Sequence, residues 1–513
     1  MHADLALERF RVAFPVIFCR SGLNPTYRRG VHSNRKCSRS LSDFRVPAGK
    51  MDALNSVPHD PSPMSYIQAD RDTPYLLPPS VDEWLPANHL ARFILEVIER
   101  LDLSRLTQGY ARRGSKAHHP AVLLALLVYG YATGLFSSRK IERATYDSVA
   151  FRYLAANTHP DHDTLATFRK RFLPELEELF VQVLSIAQAM KLLQLGHLSL
   201  DGSKVKANAS KHKALSHGHI EKIEAQLREE VQALLAQAEA TDREERPDGL
   251  DLPAELARRE ARLKALAEAK AQIEARAKAR FEAEQRDYDA KVARREAQRQ
   301  AGQPPRGKEP QPPEAGPRTK DQVNLTDEES RIMPVSGGGF EQAYNVQAAV
   351  DTATMLVLAT GVTQQTNDKQ QVEPMLEAVA ALPEALGRVE SAAMDNGYFS
   401  AANVQACLDR HIEPLIALGR DAHHLPLAER FGPDAPEPTT DDPVVRMAWR
   451  LKTQAGRALY ATRKATVEPV FGIIKQAMGF RQFSLRGLAA ATGEWTLVTL
   501  AFNLKRMHVL SLA

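Results

Sequence analysis

The chain has 513 residues, 43% hydrophobic and 25% charged. That exceeds a typical domain of ~100–200 residues and excludes global disorder. Its net charge of +4 is local: residues 1–50 hold 10 Lys+Arg against 3 Asp+Glu, and the rest hold 57 against 60, so nucleic-acid contact must come from local basic patches.

Residues 1–63 read as a disordered basic extension. Arg9, Arg11 and the apolar stretch 12–19 share features with a targeting peptide, but Pro15 interrupts it and no small-residue cleavage site follows. Met51 and Met64 stand where the composition becomes protein-like, and an upstream start codon is one expected origin of the leader. Cys19, Cys37 and Cys407 cannot build a disulfide framework, and no Cys/His ladder marks zinc. A reducing cytosol fits this usage. No apolar run approaches the roughly 18–20 residues of a membrane span; Val122 to Tyr131 reads as a core helix.

Residues 64–190 read as helical. Pro120 opens a helix that stops near Gly134. Ser137 or Ser138 caps a second, running to about Leu154, and Asp163 or Thr164 caps a third through Phe172. Short helices with tight turns fit a helix-turn-helix module or a plain bundle. His197 to Leu200 is a short strand running into Asp201. Ile220, Ile223, Leu227, Val231 and Leu234, then Leu256, Leu263, Leu266, Ile273, Ala277 and Phe281, are two helical stripes of an antiparallel hairpin over 219–300. Residues 301–329 form a Pro-rich linker, disordered over 301–318. Beyond it, strands at 344–350 and 355–362 join through a turn. Helix (370–382), strand (392–394), helix (401–410) and strand (414–418) follow, then helices near 444–456, 462–478 and 488–508. Two hairpin-connected strands followed by β-α-β-α predict an RNase H-like α/β sheet interrupted by the hairpin.

Three carboxylates carry the chemistry. Asp201 and Asp395 each follow a strand, held rigidly yet projecting into solvent, although an Asp there is also a common turn former. Glu468 is flanked by the apolar stripe of Val467, Val470, Phe471, Ile474 and Met478. An uninterrupted helix puts Lys464, Glu468 and Lys475 on one face, with Pro469 starting or kinking it. Hard oxygen donors without His or Cys point to two Mg²⁺ or Mn²⁺ ions for phosphoryl transfer. Arg463, Lys464, Lys475, Arg481 and Arg486 supply basic charge nearby for a DNA backbone. Asp368 is a spare carboxylate.

With these motifs the chain resembles the DDE transposases of bacterial insertion sequences over residues 66–508. The resemblance is carried by Ser137-Ser138-Arg139-Lys140-Ile141, Leu200-Asp201-Gly202-Ser203, Glu329-Ser330-Arg331, Tyr344-Asn345-Val346-Gln347, Asp395-Asn396-Gly397-Tyr398, Val467-Glu468-Pro469-Val470-Phe471 and Phe502-Asn503-Leu504-Lys505-Arg506. It implies a helical DNA-binding domain (64–190), a catalytic domain (191–218 and 330–513) and a metal-binding triad of Asp201, Asp395 and Glu468. It also implies a Tyr-Arg-Glu-Lys signature, filled by Tyr460, Arg463, Glu468 and Lys475. Four residues separate Arg463 from Glu468 where the family pattern has three, so Lys464 competes for the Arg role. The implied enzyme is a cytoplasmic homodimer that cuts terminal inverted repeats and joins their 3′ ends to double-stranded target DNA. A nuclease without strand transfer and a non-catalytic DNA-binding relative are the alternatives. Trp495 is read as packing, with handling of a flipped base as its other use. Ser336 to Gly339 lacks the ending of a phosphate loop.

Overall fold

The computed structural model describes residues 80–108, 117–244, 252–302, 304–305, 307–335, 338–419 and 432–512. The extension expected over 1–63 lies outside the described residues. Those described belong to the compact unit Tyr75–Ala513.

Seven helices come first: α1 (Leu90–Glu99), α2 (Ser104–Gln108), α3 (Pro120–Ala132), α4 (Ser138–Asp147), α5 (Val149–Leu154), α6 (His162–Arg171) and α7 (Glu175–Ala189). Apolar residues surround α3, and every residue from Leu123 to Ala132 is buried. The single helix expected to run to Leu154 is two, because Ser148 adopts extended backbone with ψ 125°. The cap of α6 is Asp161, whose carboxylate accepts from Thr164 N at 2.6 Å, rather than Asp163 or Thr164.

Strand β1 (Leu195–Lys206) leads to β2 (Ala214–Ser216) and then to the paired helices α8 (His217–Glu244) and α9 (Leu252–Gln300). Ile220, Leu227, Leu266, Ala269 and Ile273 form a narrow buried seam between them. Strand β3 (Gln322–Asn324) pairs with β2 beside that seam. The Pro-rich segment expected to be disordered instead lies against α9. Arg295 Nη1 donates to Lys308 O at 2.6 Å, and Arg280 Nη2 donates to Gly316 O at 3.0 Å. Arginine guanidinium groups thus supply partners that composition alone did not reveal.

The main sheet adds β4 (Arg331–Pro334), β5 (Phe340–Asp351), β6 (Val357–Thr363), β7 (Gly387–Met394) and β8 (Glu413–Ile416). Helix α10 (Val372–Ala380) connects β6 to β7, and α11 (Ala401–Asp409) connects β7 to β8. One edge of β5 pairs antiparallel with β1, and the other with β4 and β6. On its far side β1 runs parallel to β7, which runs parallel to β8. This is a mixed sheet flanked by helices. The final helices are α12 (Pro443–Arg450), α13 (Gln454–Ala465), α14 (Val467–Gly472) and α15 (Leu488–Ser511). Helix α15 is buried along most of its length and packs on β6, α3 and α7, so one apolar core joins the first helices to the sheet. Asn503 fixes the contact: it accepts from Val357 N and donates to Val357 O, both at 2.8 Å.

Candidate active site

Asp201 is not at a strand end. β1 continues to Lys206, and Asp201 lies opposite Ala348 of β5. The polar run 201–206 gave no strand pattern, yet β5 supplies its backbone partners. Asp395 does end its strand, one residue beyond the last parallel pair, Leu200 with Met394. The two aspartates are therefore successive in register on adjacent strands, which lie ~4.8 Å apart. Each also serves locally: Asp201 accepts from Gly202 N and Asp395 from Gly397 N, both at 2.8 Å.

Glu468 opens α14, while Val467, Val470 and Phe471 bury the other side of that helix. Its side chain is 46% exposed. The uninterrupted helix expected through this region breaks at Thr466, with φ −122° and ψ −79°. That break absorbs the extra residue in the signature and decides which base faces the carboxylates. Arg463 Nη1 lies 3.3 Å from Asp201 Oδ2, and Nη2 lies 2.8 Å from Glu468 Oε1. Lys464 is exposed. One guanidinium thus bridges carboxylates from residues far apart in sequence. Tyr460 sits beside it, with the Arg463 guanidinium 6.0 Å from its ring centre.

A π-turn at Ile473–Ala477 follows α14 and carries Lys475 back to β1. Lys475 Nζ donates to Ser203 Oγ at 2.6 Å and to Lys204 O at 2.9 Å. Arg481 is exposed and its Nε donates to Lys475 O at 3.1 Å. Beside the aspartates, Asp368 accepts from Asn345 and Gln347, while Gln347 also accepts from the Tyr398 hydroxyl. Sequence reasoning did not find this polar network. Its signal was the spacing of Asn345 and Gln347, two apart and on one face of β5.

Burial pushes the Asp201 carboxyl up to about 6; Arg463 and the Gly202 amide oppose this, and Asp395 and Asp368 add to it. Burial at Asp201 thus disfavours its charged form, while Glu468 at the other end of the Arg463 bridge stays partly open to water.

Two family models match the chain. Residues 79–171 match a transposase domain (DUF772) and residues 306–504 match the transposase DDE domain. The chain belongs to the DDE transposases of insertion elements. No curated protein and no solved structure was matched. The second match holds Asp395 and Glu468 but begins after Asp201, which the α8–α9 hairpin separates from it.

In this transposase Trp495 is fully buried, stacks on Phe471 and donates to Gln347 O at 3.1 Å. It packs the site from beneath and is not exposed to a base. Among the described residues no three or more His, Cys, Asp and Glu side chains are gathered closely enough to hold a metal ion. The donor set fits a hard divalent cation in kind: the carboxylates offer only oxygen ligands, and Arg463 now stands where a cation would supply the positive charge. Among the described residues, no helix is long and apolar enough to cross a membrane.

Proposed function

We propose that this transposase cuts DNA at the terminal inverted repeats of its element and joins the freed ends to double-stranded target DNA. In this reading Asp201, Asp395 and Glu468 hold two Mg²⁺ or Mn²⁺ ions. The carrying observation is the bridging of Asp201 and Glu468 by Arg463, with Asp395 next to Asp201 in register. The order β6-β5-β1-β7-β8, antiparallel then parallel, supports an RNase H-like catalytic domain. When bound, such ions activate the attacking oxygen and stabilise the leaving one.

The chain's own residues do the rest. Asp201 and Asp395 project from two strands of one sheet, which limits their freedom and fixes where the scissile phosphate must lie. Lys475 and Arg481 lie alongside to hold the DNA backbone by charge-assisted contacts, with Tyr460, Arg463 and Lys464 on the preceding helix. A cleft lined by Arg139 and Lys140 of the first helices and by Gln482 supports a second stretch of DNA contact. In cleavage, water oxygen bonds to phosphorus as the 3′ oxygen leaves. In joining, that 3′ oxygen bonds to a target phosphorus as a target 3′ oxygen leaves. The functional unit is a homodimer in which α1–α7 bind the repeats and the hairpin is an insertion.

The test uses transposon-end DNA with purified single variants Asp201→Ala, Asp395→Ala and Glu468→Ala. Each should lose cleavage by at least ~10³-fold in Mg²⁺ while DNA binding persists. Cleavage at the wild-type rate by any of them would remove that residue from the triad. Joining of 3′ ends to a plasmid separates a transposase from a nuclease that only cuts.

A further inference from the structure

We propose that Asp368 is a fourth carboxylate of the cation site, with Lys204 as its counter-ion while no cation is bound. The proposal rests on the metal-site reading above and adds a residue to it.

Asp368 stands in the connection between β6 and α10, on a chain segment separate from Asp201, Asp395 and Glu468. Its position is held from below. Asn345 Nδ2 and Gln347 Nε2, two residues apart on β5, donate to Asp368 Oδ1 at 2.6 and 2.7 Å. Its other oxygen, Oδ2, lies 3.6 Å from Lys204 Nζ.

Two glycines let Asp368 approach the aspartates. A side-chain carbon on Gly202 would collide with Asp368 Oδ1 and Gln347 Nε2, so the residue after Asp201 leaves room for this carboxylate. A carbon on Gly397 would lie 3.0 Å from Asp395 Oδ1 and 3.8 Å from Asp368 Oδ2, so both carboxylates face the same small residue.

An independent observation points to a ligand. Asn345 is fully buried and its amide lies against Asp368, yet its Oδ1 has no hydrogen-bond partner. A buried acceptor left unmet is costly, and an amide carbonyl oxygen is a ligand type that suits a hard cation. Lys204 is a flexible point charge that can withdraw when a cation supplies the positive charge.

The experiment measures Mn²⁺ binding to the full chain without DNA, by titration calorimetry and by electron paramagnetic resonance of free Mn²⁺. Asp368→Asn should weaken binding about tenfold or more. Lys204→Gln should bind Mn²⁺ as tightly as wild type or tighter, because a competitor is gone. A residue that merely braced the loop would give weaker binding in both variants. If Asp368→Asn is folded by circular dichroism and binds Mn²⁺ like wild type, the proposal is overturned. If that variant does not fold, Lys204→Gln decides, and weaker binding by it overturns the proposal. Asp201→Asn run in parallel separates the two readings. Should it keep wild-type Mn²⁺ affinity, the metal site itself is misassigned; should it lose affinity while Asp368→Asn does not, only the role of Asp368 fails.

Discussion

Helix α15 is buried on nearly every turn from Ala491 to Leu504, whereas the described side chains of the 49-residue α9 bury little beyond Leu266, Ala269, Ile273 and Ala277. The first belongs to a continuous core shared by the sheet and the opening helices. The second is held by one apolar seam and by partly exposed ion pairs, such as Arg259 with Glu230 at 3.0 Å. The difference matches what each part must do. Carboxylates from distant chain segments need a frame that does not shift, and close packing supplies it. A narrow seam tolerates relative motion and can yield without disturbing the site.

The largest effect expected from this contrast is at Trp495, whose indole is wholly inside and packs between Phe471 and Phe480. Trp495→Ala should cost about 3–5 kcal/mol in global stability by urea unfolding. A cost under about 1 kcal/mol would show that the sheet region is not the tighter part. Ile273→Ala opens the hairpin seam and should cost about 2–3 kcal/mol. The loss should be local: hydrogen exchange should quicken in α8 and α9 and stay unchanged in β5. Equal quickening in β5 would mean that the two regions unfold together.

A smaller effect follows from the Asp201 carboxyl, raised from 3.8 to about 6 in the folded protein. Below pH 3.8 it is protonated in both states, and its contribution to stability is whole. As pH rises through about 6 the folded state must hold the charged form, and that contribution is lost. In metal-free protein Asp201→Asn should therefore gain stability over wild type by roughly 1–3 kcal/mol at pH 7–8, and this pH-dependent gain should be gone below about pH 3. A gain that stays constant with pH would mean that ionisation of Asp201 is not its source.

Much of the fold was legible because buried strands and amphipathic helices leave direct patterns. The run 344–350 reads as β5 from its apolar residues, and the α8–α9 stripes from their spacing. The misses have a common cause in distant partners. Strand β1 extends through polar residues 201–206 because β5 pairs with them. The Pro-rich segment is fixed by arginines of α9. At the site, the three carboxylates could be named from local motifs, but the choice of Arg463 over Lys464 depended on the break at Thr466, which no spacing rule contains. The Asp368 network was invisible for the same reason. Asn345 and Gln347 reveal a purpose only once β5 and the connection after β6 are brought together.

The central claim is that Asp201, Asp395 and Glu468 share divalent cations. A crystal of the full chain with Mn²⁺ and a transposon-end duplex, measured for anomalous scattering, tests it most directly. The account predicts anomalous peaks in contact with all three carboxylates, with Arg463 no longer bridging Asp201 and Glu468. Peaks confined to other residues, or none beside Asp201 at saturating Mn²⁺, would contradict it.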